Sequence, residues 1–103
     1  MPTATKLSDA QITEELKTLS DWELQKGAIT KLYKFKDFVE AMALVNRVAA
    51  LAEKADHHPD VLIRYNKVTL TLVTHSAGGL TEKDFRLASA IDSGVRHPPS
   101  AGV

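Results

Sequence analysis

The chain has 103 residues, with 13 Lys+Arg against 13 Asp+Glu, 44% hydrophobic residues and no cysteine. That length fits one domain with a single core, and the absence of cysteine removes disulfides, thiolate metal sites and cysteine nucleophiles. The balanced charge speaks against nucleic-acid binding, which needs surplus Lys/Arg on one face, and no apolar run approaches the roughly 20 residues of a membrane span. The opening residues MPTATKLSDAQ lack the apolar stretch of a signal peptide, so a cytoplasmic location is expected.

Ser8 and Gln11 fit a capping box, with Leu7 and Ile12 as its hydrophobic staple. Ile12, Leu16 and Leu19 then repeat at helical spacing. Residues 22–25 and 28–35 read as strands around a Lys26-Gly27 turn. Asp37 and Glu40 open a second helix that runs to about Asp56, stopped by Pro59. Its apolar residues form one stripe through Phe38, Met42, Val45, Ala49 and Ala52, widened by Ala41, Leu44, Val48 and Leu51, so this helix is expected to be mostly buried. Val61, Ile63 and Tyr65 alternate as a third strand. After a turn near Asn66-Lys67, Val68, Leu70 and Leu72 alternate as a fourth. Thr81 and Asp84 cap a third helix, with Leu80 and Phe85 as staple and Gly94 as its stop. The order α-β-β-α-β-β-α predicts an α+β domain over residues 1–96, a four-stranded antiparallel sheet with three helices on one face. Residues 97–103, rich in Pro, Ser and Gly, read as a frayed tail.

Three histidines fall at element ends. His57 and His58 precede Pro59 at the entry to strand three, and His75 follows strand four. A tight hairpin between those strands brings its far ends together, so His57 and His58 are expected near His75. Histidine titrates at about 6.5 and exchanges protons near neutral pH, so such a cluster suits general acid–base chemistry. Glu53, one helical turn before His57, and Asp56 are two candidates to orient that ring. Three histidines can also hold zinc, but adjacent His57 and His58 point apart and no His-x-His or His-x-x-x-His spacing occurs, which argues against a metal. Ser76 has no Gly-x-Ser-x-Gly elbow, and Gly78-Gly79 lacks the spacing of a phosphate loop.

Other residues have plainer readings. The capping box explains Asp84, with a catalytic role as the alternative. Trp22 reads as a core anchor, and Lys31, Lys34 and Lys36 as solvated charges near a strand edge. Tyr65 is explained by its alternation, and His97 by the tail.

The segment Glu53, Lys54, Ala55, Asp56, His57, His58, Pro59, followed by Tyr65, Asn66, Lys67, Val68, then Leu72, Val73, Thr74, His75, then Gly79, Leu80, Thr81 and Asp84, closely resembles the pterin-4a-carbinolamine dehydratases. That family is also known as the dimerisation cofactor of a hepatic homeodomain transcription factor. A weaker match runs through Trp22, Ile29, Phe35, Lys36, Asp37 and Phe38. The resemblance implies the same order of elements, a homodimer or homotetramer, and dehydration of 4a-hydroxytetrahydrobiopterin to quinonoid dihydropterin in tetrahydropterin recycling for aromatic amino acid hydroxylases. It implies His57, His58 and His75 as active-site histidines. Pro59 and the loop of Thr74, His75, Ser76 and Ala77 would contact the pterin, with Glu53, Asp56 and Asp84 in support. No metal or organic cofactor is implied, and no membrane or direct nucleic-acid partner. Several animal members carry an aromatic residue at the position of Val61. On this reading His57 and His75 do the acid–base work while His58 and loop backbone hold the ring. The competing expectations are a non-catalytic interaction protein resembling a transcriptional coactivator, and a pterin-handling role in molybdenum cofactor metabolism.

Overall fold

The structure, a computed structural model, describes residues 5–95; the expected tail and His97 lie outside the described residues. Helix α1 (Asp9–Leu16) begins where local chemistry places it. Ser8 Oγ accepts from the Gln11 amide at 3.2 Å, and Gln11 Oε1 accepts from the Ser8 amide at 2.8 Å. Ile12 is buried in the core, and Leu7, Leu16 and Leu19 pack against that core half-buried. Strands β1 (Glu23–Gln25) and β2 (Ala28–Lys34) meet through a two-residue turn. Lys26 and Gly27 both have positive φ, 52° and 80°, the backbone that matches the twist of a hairpin.

Helix α2 (Phe38–Ala55) starts at Asp37, whose side chain accepts from the Glu40 amide. The return arm differs from a full capping box, because the Glu40 carboxylate takes the Lys36 amide instead. The helix is not mostly buried. Its inner face is Ala41, Leu44, Val48 and Ala52, while Phe38 and Ala49 are exposed and Met42 and Val45 half-buried. The expected stripe spanned more than one face, and the sheet is met by only part of it. Asp56 ends the helix in the left-handed region (φ 52°). The His57 amide then reaches back to the Ala52 carbonyl, a Schellman-type ending that throws His57 out of the helix axis.

Strands β3 (Asp60–Arg64) and β4 (Lys67–Leu72) form the second hairpin. Its turn is Tyr65 and Asn66, one residue earlier than the sequence suggests, with Tyr65 at φ 52° rather than extended. Asn66 fixes this turn by donating its side-chain amide to the Phe35 carbonyl at 2.8 Å. The sheet is antiparallel throughout in the order β1-β2-β4-β3. Ile29, Tyr33, Val68, Leu70 and Leu72 face the helices, with Thr30, Thr69 and Thr71 on the opposite side. Helix α3 (Glu82–Val95) adds Phe85, Leu87, Ala88 and Ile91 to the core. Each large side chain buried there contributes roughly 1.5–3 kcal/mol.

Two further expectations change. Gly94 does not stop α3 but lies inside it. A Cβ there would collide with the Arg47 guanidinium, so glycine lets the α2 side chain cross α3. Lys31 is not a solvated edge charge either, because β2 is an interior strand. Its ammonium lies 2.9 Å from Asp92 and from the Ser20 carbonyl.

Candidate functional site

The site is built where α2 ends, β4 ends and α3 begins. Asp84, in the first turn of α3, is its centre and is fully buried. Its Oδ2 accepts from the Thr81 amide at 2.9 Å, the capping interaction expected from sequence. The same oxygen accepts from Thr74 Oγ1 at 2.9 Å, and Oδ1 lies 2.6 Å from His57 Nε2. The capping and site roles of Asp84 therefore coexist, one on each side of a two-oxygen group.

The proton arrangement follows from counting donors. Thr74 has one hydroxyl proton and directs it at Asp84, so in its 2.8 Å contact with Thr81 the Thr81 hydroxyl must donate. Thr81 Oγ1 in turn accepts from the Lys83 amide at 3.2 Å. As a carboxylate Asp84 can only accept, so beside it Nε2 of His57 carries the proton. A carboxylate behind an imidazole fixes its tautomer and orientation. The His57 side chain is only 10% exposed.

Neither Glu53 nor Asp56 orients His57. Glu53 Oε2 instead lies 2.6 Å from His58 Nε2, on an exposed pair. Helix periodicity misleads here because the left-handed Asp56 breaks the spacing between Glu53 and His57. The structure joins His57 to Thr74 through Asp84, which brings the expected ends of β3 and β4 together. The three rings do not form one hydrogen-bonded cluster, since His58 turns to Glu53 and His75 is exposed. Among the described residues no three His, Cys, Asp or Glu side chains converge to hold a metal ion.

The loop after β4 is a 3-10 turn, His75–Ala77, closed by Gly78 at φ 77°. Thr74 pairs with Gly79 in both directions, and the Ala77 amide bonds the Thr74 carbonyl. With its hydroxyl on Asp84 as well, the amide, carbonyl and hydroxyl of Thr74 all bond within the protein. The first amides of such a turn, those of His75 and Ser76, have no partner within it and are the loop's available donors. Gly79 leaves room for the Lys6 side chain, which would overlap a Cβ there. Pro59 is half-buried beside His58. Thr81 was not a sequence candidate; its buried hydroxyl emerges only from the tertiary chain of donors.

A groove between α2 and α3 opens beside His57, which stands in its wall. The family profile for "Pterin 4 alpha carbinolamine dehydratase" matches residues 5–94. A Chloroflexus aurantiacus protein provisionally named pterin-4-alpha-carbinolamine dehydratase is 54% identical over 87 residues, 84% of this chain and 94% of its own. A Thermomicrobium roseum protein with the same provisional name is 57% identical over 83 residues, 81% of this chain and 89% of its own. The crystal structure of a transcriptional coactivator/pterin dehydratase from Brucella melitensis superposes with a TM-score of 0.84 at 38% identity, covering 86% of this chain and 97% of that one. The chain belongs to the pterin-4a-carbinolamine dehydratase family.

Proposed function

We propose that the protein dehydrates 4a-hydroxytetrahydropterin to quinonoid dihydropterin, serving tetrahydropterin recycling in the cytoplasm. The observation that carries this reading is His57 held by the fully buried Asp84. Loss of hydroxide from C4a is slow without a proton, so a histidinium gives one to the departing oxygen. The ring nitrogens push electrons towards C4a, and a neutral imidazole accepts the proton the pterin must lose. Each positioned acid or base contributes roughly 10²–10⁴-fold. His57 and His75 take these two roles. His58, paired with Glu53, and the amides of His75 and Ser76 orient the ring beside Pro59.

A homodimer or homotetramer is the form we propose. Its support is the exposed apolar surface on edge strand β3 (Val61, Leu62, Ile63) and at the start of α2 (Phe38, Val39). Solvated apolar side chains grouped along an unpaired strand favour a partner surface.

Rapid-mixing ultraviolet spectroscopy of carbinolamine decay tests the activity. Wild type should outpace the uncatalysed reaction, and His57→Ala or His75→Ala should each lose about 10²–10⁴-fold. A folded wild type that leaves the decay rate unchanged would sink the dehydratase reading.

A further inference from the structure

The groove between α2 and α3 has a lining that dehydration alone does not require. It encloses about 480 Å³, inside the ~300–1,000 Å³ range of small-molecule sites. Leu51, Ala55 and Leu87 make an apolar floor, and Lys54, Lys83 and Arg86 stand at its rim. Among the described residues no acidic side chain lines it. Arg86 donates to Glu82 at 3.0 Å, which offsets part of its charge. Lys54 and Lys83 take part in no ion pair among the described residues. In the chain Lys54 lies three residues before His57, and Lys83 adjoins Asp84, which holds His57. Two unpaired cations thus flank the histidine at the groove.

A neutral dihydroxypropyl substituent would leave both ammonium groups unanswered. Resting on the pterin reading, we propose that the substrate is an anionic, conjugated pterin. Its ring substituent lies on the apolar floor, and a carboxylate or phosphate meets Lys54 and Lys83 at the rim. Exposed cations contribute about twofold each, so Lys54 and Lys83 together favour an anion by about fourfold, falling with added salt as screening grows.

Equilibrium binding of oxidised pterins, which cannot dehydrate, separates the possibilities. The probes are two matched pairs: 6-hydroxymethylpterin with its phosphate monoester, and pteroamide with pteroic acid. Tighter binding of the anionic partner, by about fourfold and lost both in K54Q/K83Q and at high salt, is the expected result. The pair that shows the larger gap identifies phosphate or carboxylate as the anion. If each pair binds equally well, the anionic substrate is ruled out while the pterin reading stands. A preference that survives in K54Q/K83Q also overturns it, by placing the anion elsewhere. If none of the four probes binds, the pterin reading falls and this inference with it. The salt dependence of wild type decides the matter even if the double variant does not fold.

Discussion

Asp84 and Asp92 lie about two turns apart on α3, both buried and each met by three donors. Around Asp92 stand Trp22 Nε1 at 2.9 Å, Tyr33 Oη at 2.6 Å and the Lys31 ammonium at 2.9 Å. Around Asp84 stand the Thr81 amide, the Thr74 hydroxyl and His57. The indole, the phenol and the lysine come from β2 and the segment before β1. Asp92 therefore pins the far half of α3 to the sheet. Of the two, only Asp84 holds an imidazole, and that ring stands in the wall of the groove between α2 and α3. The same device, a buried carboxylate with its acceptor sites filled, serves architecture in one place and chemistry in the other. What separates them is the partner.

Breaking the architectural cluster should have the largest effect on stability. Asp92→Ala strands the Lys31 ammonium, whose side chain is 13% exposed, and removes the acceptor of Trp22 and Tyr33. Loss of one member of a buried ion pair costs about 3–5 kcal/mol. Chemical denaturation should show that loss, while the rate per folded molecule stays as in wild type.

A smaller effect follows from alkali. Burial first, and then the Asp92 hydrogen bond and charge, push the Tyr33 phenol well above its ordinary range. The unfolded chain releases that proton at about pH 10 and the folded chain does not. Stability is therefore intact below pH 10 and declines above it, by up to about 1.4 kcal/mol per pH unit. Denaturation curves of wild type and Tyr33→Phe should diverge in slope only on that alkaline limb. Parallel curves would show that the phenol is not held as described.

The smallest effect belongs to the exposed His58–Glu53 pair. Glu53→Gln keeps a hydrogen-bond acceptor and removes only a solvated charge, worth less than about 1 kcal/mol. Its rate should fall by less than about fivefold. A larger loss would move His58 into the acid–base pair.

These clusters also mark how far the sequence could be read. Ser8 with Gln11 and Asp37 with Glu40 are contacts within one turn, so their residue types alone predict them. The Lys26-Gly27 hairpin is local in the same way. The helix α2 stripe was ambiguous because alanines at 41, 49 and 52 are apolar without being large, and only the sheet selects the face. Gly94 reads as a stop, yet a helical glycine costs only about 1 kcal/mol, and its packing against Arg47 is tertiary. Lys31 reads from sequence as a solvated charge because its partner lies 61 residues away. Hairpin topology makes the meeting of the ends of β3 and β4 legible, and with it the approach of Thr74 to the Asp84 that holds His57. The pairing of His57 with Asp84 is not legible, since 27 residues separate them and capping already accounts for the aspartate.

The central claim is that Asp84 acts through His57 on the reaction. Asp84→Asn keeps the volume and an acceptor for Thr74 and the Thr81 amide, but it takes away the charge and can turn a donor towards Nε2. Carbinolamine decay should be followed by rapid mixing with Asp84→Asn and wild type across pH 5.5–8.5, a window of about 1–2 units around the ordinary histidine value, at matched folded fractions. The account predicts a rate at least about tenfold lower across that window. A folded Asp84→Asn protein with the wild-type rate and profile would contradict it.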